Sequence, residues 1–446
     1  MSVTLLAALL LAQPQQQDPS VTTGSDRGSA VRLQVTGHLD LHYMYRSAAI
    51  DQLGGLLNGI PPAPADSQNF WAGRMSLRTD IEVKDFVTGV LELENRSFEQ
   101  GMNKPFGAVP PDSPIQIKQG YIEVGEFLVS GLNVRIGVQN VVFRNRPQDE
   151  AFFMDLSESE GFFKGFNPAG NDIVNTVDRE ISQPVGIRFF YAPFEIVTLQ
   201  AFWLVVGEHG GTSEDESLYG FVANSLLGEH WSAWLLFTFV TGPDQLDGVG
   251  TLGAGIDGYL LDDRSLEVFA EGYLQGGTLV ERPDVRKRAY AVNLGARYLG
   301  FFDRKVWIEA ALSHRSGDRR AGDDHDQAFQ SYENVNRFLI MDSSEFGLDV
   351  DTNITCARIT IGAGPFKVDG RPLKIQLDVG RFGAVAPVLS ASRRWGVETD
   401  LGLTWNYNES FNLTSRLAWL ADSEVMDRLT GERQAWIYVF GADLRF

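Results

Sequence analysis

Residues 31–46, VRLQVTGHLDLHYMYR, alternate with a period of two. Val31, Leu33, Val35, Leu39, Leu41, Tyr43 and Tyr45 fall on one side, and Arg32, Gln34, Thr36, His38, Asp40, His42 and Arg46 on the other. That period belongs to a β-strand with one apolar and one polar face. Residues 71–85 repeat it, with Trp71, Met75, Leu77, Ile81 and Val83 set against Arg74, Ser76, Arg78, Asp80, Glu82 and Lys84. Both segments exceed the ~5–6 residues of an ordinary sheet strand and suit a tilted strand that crosses a bilayer. The last eleven residues, WIYVFGADLRF, put Tyr438, Phe440, Ala442, Leu444 and Phe446 on one face.

Tight connections are expected near Lys84-Asp85, Ser130-Gly131, Pro193-Phe194, Gly228-Glu229, Asp262-Asp263, Phe302-Asp303, Asp369-Gly370 and Asn408-Glu409. Long ones are expected at about 47–70, 97–114, 144–183, 207–217, 241–249, 275–285, 314–352, 382–392 and 422–433. The two kinds alternate, beginning with a long one, which predicts about 18 antiparallel strands with both ends of the chain at the short-turn end. The predicted fold is all-β: a single up-and-down transmembrane barrel over 31–446, with short periplasmic turns and long extracellular loops. No fixed-period repeat suggests a propeller or β-helix instead. Closure leaves no strand edge unpaired, as hydrocarbon requires. The final strand, with lipid against its apolar face, needs no chain beyond it.

Composition supports the same class. The 446 residues carry 58 acidic against 38 basic side chains, a net charge of −20, which argues against nucleic acid as a partner. Cys356, the one cysteine, rules out an internal disulfide framework and a cysteine-based zinc site. The most apolar stretch, WSAWLLFTFV at 231–240, is about half the ~20 residues of a membrane-crossing helix. At the other end, VTLLAALLLA (3–12) has the length of a signal-peptide core, although no Lys or Arg precedes it. A Gln/Pro/Ser-rich tail follows, so residues 1–30 are expected to be a signal peptide and flexible tail, and no cysteine follows to anchor a lipid.

With the apolar set facing lipid, the other set lines a water-filled lumen. Arg74, Arg78, Arg135, Arg188, Arg297, Arg358, Lys374 and Arg416 are the expected substrate path, accompanied by further inward bases at Arg32, Arg46, Lys84, Arg96, Lys287, Lys305, Arg315, Arg394 and Arg445. Inward acids are fewer, and include Asp40, Asp80, Glu92, Glu94, Glu267, Glu309, Asp378, Glu398 and Asp400. A slightly basic wall inside an acidic chain favours anions. The alternative is that these charges pair across strands and only make the lumen polar.

Two stretches resemble barrels of the alginate export family. Ser316-Gly317-Asp318, followed by Phe329 and Tyr332, is similar to that family's strand-ending turn and aromatic pair. VRIGVQNVVFRNRPQDEAFF (134–153) is similar to a strand ending in Gly137 and Gln139 with Arg144 and Arg146 entering a long loop; Val138 stands where the family usually has arginine. The resemblance implies a bacterial outer-membrane porin passing an acidic polysaccharide or smaller anionic sugar, contacting lipid and lipopolysaccharide. The C-terminal YVFGADLRF also resembles the signal, here Tyr438, Phe440, Leu444 and Phe446, that the barrel-insertion machinery reads in outer-membrane proteins.

No cofactor is expected. Calcium at Asp318, Asp323, Asp324, His325 and Asp326 is the one metal reading, and the spacing does not match an EF-hand loop. Three other functions compete with a selective porin. A general diffusion porin would use the same wall without specificity. A barrel-embedded hydrolase would use His209, His314 or His325 at the rim, with His314 near Ser313, Ser316 and Asp318, but no activated-nucleophile motif accompanies them and an enzyme is not expected. A surface protein with a plugged pore would use the Phe-rich connection 144–183 as its plug.

Overall fold

The structure, a computed structural model, describes residues 31–50, 68–83, 86–96, 115–146, 151–156, 184–207, 216–242, 248–278, 285–303, 305–320, 323–332, 337–343, 347–348, 350, 352–388 and 392–446. The strands are β1 (Val31–Arg46), β2 (Gln68–Val83), β3 (Val87–Arg96), β4 (Gln116–Val124), β5 (Leu132–Val138), β6 (Val142–Phe143), β7 (Met154–Asp155), β8 (Val185–Phe194), β9 (Val197–Gly207) and β10 (Glu216–Leu226). They continue as β11 (Trp231–Thr241), β12 (Val249–Tyr259), β13 (Leu266–Thr278), β14 (Arg286–Phe301), β15 (Val306–Arg315) and β16 (His325–Asp326). The last are β17 (Ile354–Val368), β18 (Arg371–Val388), β19 (Ser392–Asn406), β20 (Phe411–Ala421) and β21 (Ala435–Arg445). Helix α1 (Glu424–Thr430) lies in the last connection, and residues 48–50 after β1 are also helical.

Eighteen of these strands form an antiparallel closed barrel. Each pairs with its sequence neighbour, and β21 returns to β1, with Leu39 opposite Leu444 and Tyr43 opposite Phe440. The two-residue pieces β6, β7 and β16 belong to connections: β6 pairs with β7, and β16 runs parallel to the start of β14. Closure is sealed at Gly37, whose N–H and C=O bond the C=O and N–H of Phe446. The Phe446 ring occupies the space that a Cβ on Gly37 would need.

The apolar face points outward, as the alternation predicts. On β11, Leu235, Phe237 and Phe239 are exposed, while Trp234, Leu236, Thr238 and Val240 are buried inside. Trp436, Leu444 and Phe446 of the final strand are likewise exposed, and Tyr438 and Phe440 share that face. In water such a belt would cost about 25 cal/mol for each Å² of apolar surface, so the exterior only makes sense against hydrocarbon.

Three expectations need correction. Strand β18 runs to Val388 and β19 starts at Ser392, so the connection expected to be long at 382–392 is reduced to 389–391. Arg394 is not a lumen residue. Gly396, at φ 119, makes a bulge that shifts the register between Phe382 and Gly383, putting Trp395 inside and Arg394 outside, beside Asp422 and Glu424. An extra residue in one strand inverts every face beyond it. The lumen wall is also not polar throughout. On β9 to β13, Leu204, Leu218, Leu236, Val249 and Tyr273 point inward and are buried under residues 141–143 and 152–156. Lys84, the side chain of Arg96 and residues 157–183 of the suggested plug lie outside the described residues.

Candidate functional site

Among the described residues, the connections after β5 and after β15 fold into the lumen. The first, after β5, presents Val141, Phe143, Phe152, Phe153, Met154 and Leu156 to the apolar inner wall of β9 to β14. Phe153 stacks on Tyr273 with ring centroids 5.0 Å apart, and Trp234 donates to Asn145 Oδ1 at 2.5 Å. The second, at residues 337–343, packs Phe338, Leu339, Ile340 and Met341 against inward Phe382, Trp395, Leu420 and Ile437. Carboxylates of β19 hold its backbone: Leu339 N donates to Asp400 Oδ2 at 2.9 Å, and Ile340 and Met341 donate to the two oxygens of Glu398 at 2.7 and 3.0 Å. Three consecutive N–H groups are thereby satisfied where no ladder could reach them.

The loops meet the wall at Glu309 on β15, whose carboxylate is fully buried and takes four guanidiniums. Arg297 of β14 lies 2.6 Å away and Arg358 of β17 2.9 Å. Arg146 of the first infolded loop reaches it at 3.2 Å, and Arg337 of the second at 3.0 Å. Glu267 of β13 is the second carboxylate, 3.5 Å from Arg146 and 3.7 Å from Arg297. Four guanidiniums thus meet these two carboxylates. Rings back it, with Arg146 3.6 Å over Phe269 and Arg297 4.6 Å over Trp307. Beside it opens a cleft whose lining includes Phe152, Arg315, Arg337, Phe338 and Arg358 together with one acid, Asp342, and where Arg315 stacks on Phe152 at 4.3 Å. Planar guanidiniums suit carboxylates, and aromatic faces suit the C–H faces of a sugar ring.

Of the expected path, Arg297 and Arg358 belong to this cluster, and Arg416 joins its edge through the Arg337 carbonyl at 2.5 Å and Asp400 at 3.4 Å. The others are dispersed. Arg74 faces Asp40 at 3.8 Å, Arg78 holds Asp80 at 2.8 Å, and Arg135 holds Glu123 at 2.6 Å. Arg188 is buried and donates to two neutral acceptors, the Asn140 carbonyl at 3.0 Å and Gln200 Oε1 at 3.1 Å. Lys374 is exposed near the short-turn end, with no ion pair among the described residues. Arg146 belongs to the site although alternation cannot place it, because it lies in a connection and has no strand face. Arg337 has the same reason for escaping the sequence. Lys118, 2.9 Å from Glu94, was hidden by a register shift in β4.

The 314–352 connection acts as a clamp. Ser316 accepts from Tyr290 N at 2.9 Å and donates to the Gln327 carbonyl at 2.7 Å. Gly317 sits against Asn353 with no room for a side chain. Phe329 and Tyr332 are buried beside Phe153, and Tyr332 donates to Glu216 at 3.1 Å. Asp318 accepts from Arg320 N, and its burial, with Asp326 and Asp323 nearby, raises its pKa.

The calcium reading narrows accordingly. Asp326 is taken by Lys287 at 2.9 Å and by Ala328 N, leaving Asp323, Asp324 and His325 with ligand atoms within 4.8 Å of one another. The His325 ring, 2.6 Å from Asp324, holds that carboxyl below its ordinary range. No Ser–His pair assembles among the described residues at His314: it faces outward and bonds Thr355 Oγ1 at 2.7 Å, whereas Ser313 faces inward. His209 lies outside the described residues.

No family model and no curated protein matches the sequence. Among solved structures, the chain is similar to OccK11 (OpdR) of Pseudomonas aeruginosa, with a TM-score of 0.55 and 11% identity over 93% of this chain and 96% of that one. It is similar also to OprD of the same organism, with a TM-score of 0.54 and 12% identity over 93% and 95%. OpdQ, from that organism too, gives 0.53 and 11% over 93% and 98%. At such identities the likeness establishes the architecture alone, a closed antiparallel barrel.

Proposed function

We propose that the chain is a bacterial outer-membrane channel through which carboxylate-bearing saccharides diffuse passively. The observation that carries this reading is the cleft between the infolded loops, where three guanidiniums, Arg315, Arg337 and Arg358, outnumber the one acid, Asp342, and stand beside Phe152 and Phe338 inside a closed barrel. A solute threading the lumen exchanges water for guanidinium contacts on one side and ring contacts on the other. Repeated weak contacts of this kind favour flux over retention. The resemblance of the 134–153 and 316–332 segments to alginate-export barrels suggests uronic-acid sugars within that class, and the cleft's chemistry suits them.

A general diffusion porin is the second reading, favoured by the ion pairs of Arg74, Arg78 and Arg135, which spend their charge on wall carboxylates. We assign no hydrolytic role.

Planar-bilayer recording distinguishes the two readings. Under a salt gradient the selective channel gives an anion-preferring reversal potential, and a uronic-acid oligomer reduces its current. A cation preference without block would remove the saccharide reading, and no conductance at all would remove the channel.

A further inference from the structure

The outer surface carries a second charged feature unrelated to the lumen. Along β14 the outward positions read Tyr298, Ala296, Leu294, Val292 and Tyr290, then Arg288 and Arg286. On β15 the outward run Ile308, Ala310, Leu312 ends in His314. On β18 Leu373, Ile375, Leu377 and Val379 end in Arg381. Each apolar run stops at the same end of the barrel, that of the long connections. From Tyr298 to Tyr290 is eight residue steps; at ~3.3 Å each and a tilt of ~40°, they span roughly 20 Å of height, close to a hydrocarbon band of ~25 Å. Two aromatic rings thus bracket the band, and Arg288 and Arg286 lie one and two outward positions beyond it, at headgroup depth.

The row is continuous across neighbouring strands. His314 stacks on Tyr290, with centroids 5.2 Å apart, and bonds Thr355 of β17, the strand between β15 and β18. Arg319, in the connection above, lies close enough to act on His314 electrostatically. Arg286, Arg288, Arg319 and Arg381 are all exposed. The described acids close by are Asp318, next to Arg319 in the chain, and Asp323 and Asp324, the last engaged by His325 and near enough to Arg288 to feel its charge. The row concentrates outward guanidiniums on a chain of net charge −20 and so favours an anion, which the barrel wall keeps apart from the lumen's solute.

We infer that Arg286, Arg288, Arg319 and Arg381, with His314 and Tyr290, form a docking surface for the phosphate groups of a phosphorylated outer-leaflet glycolipid. The depth of the row, level with headgroups and continuous with the apolar belt, selects a lipid over a soluble anion. Guanidiniums engage phosphate oxygens in forked pairs, while Leu312, Leu294 and Val379 below them meet the acyl chains.

Native mass spectrometry of the full chain in detergent tests this with bisphosphorylated lipid A as the probe. The wild-type chain retains lipid A, the triple variant Arg286→Gln/Arg288→Gln/Arg381→Gln loses at least about tenfold in affinity, and Lys367→Gln at the opposite end leaves it unchanged. Should the triple variant fail to fold, Arg381→Gln alone is expected to weaken retention, and wild-type retention is expected to fall as salt rises. Wild-type affinity in the folded triple variant, or equal retention of a dephosphorylated lipid A, overturns the inference. So does intermolecular crosslinking through residue 381, which would assign the row to a second copy of this chain.

Discussion

At the scale of single residues, Glu309 decides most. Its buried carboxylate neutralises guanidiniums from two strands and two connections, so it determines both the local charge and the position of the loops. Removing one partner of a buried ionic cluster costs about 3–5 kcal/mol, because the remaining charges stay buried without compensation. Glu309→Gln is therefore expected to lower stability by about that much in urea titrations of the folded chain. It should also shift the bilayer reversal potential toward anions, since the same guanidiniums then face one carboxylate fewer. An unchanged reversal potential would show that the cluster stands away from the conducting path. The sequence supplied Glu309, Arg297 and Arg358 as inward residues, because strand alternation assigns a face. It did not indicate that they converge, since which residues face one another across β14, β15 and β17 is set by strand register.

Elements show a different division of labour. The apolar stretch 231–240 reads as greasy on both faces, and the structure gives each face its own solvent: lipid outside, the infolded loop inside. The second infolded loop depends on two acids. Glu398 accepts the N–H groups of Ile340 and Met341, and each orphaned donor would cost about 1–3 kcal/mol. Glu398→Ala is expected to release residues 337–348 from the wall, raising single-channel conductance and exposing that segment to protease. Wild-type conductance together with wild-type protease resistance would mean that apolar packing alone retains the loop. The bulge at Gly396 belongs to this scale as well. One residue at positive φ reverses the faces of β19 toward its start, which is why Arg394 departs from simple alternation while Glu398 and Asp400 obey it.

For the whole molecule the governing fact is closure. Every barrel strand has two neighbours, so no row of unpaired N–H and C=O groups meets hydrocarbon. The seam between β1 and β21 lies where Phe446 covers Gly37. Gly37→Val would drive a side chain into that ring, an overpacking of about 1–3 kcal/mol. The expected result is a lower temperature for converting the compact, detergent-resistant band to the unfolded one on a gel. A conversion temperature equal to that of the wild type would show that the ring can move aside without cost.

The sequence by itself determined the barrel, its strand number and which faces meet lipid, because a period of two and alternating connection lengths are local properties of the chain. It also supplied the candidate arginines of the wall. Only the tertiary structure decided which of them act together, which are spent on neighbouring carboxylates, and that Arg146 and Arg337 enter the lumen at all. Connections obey no periodicity, and ion pairs form between residues far apart in the chain. Their partners are fixed by strand register and by how loops pack inside the closed wall.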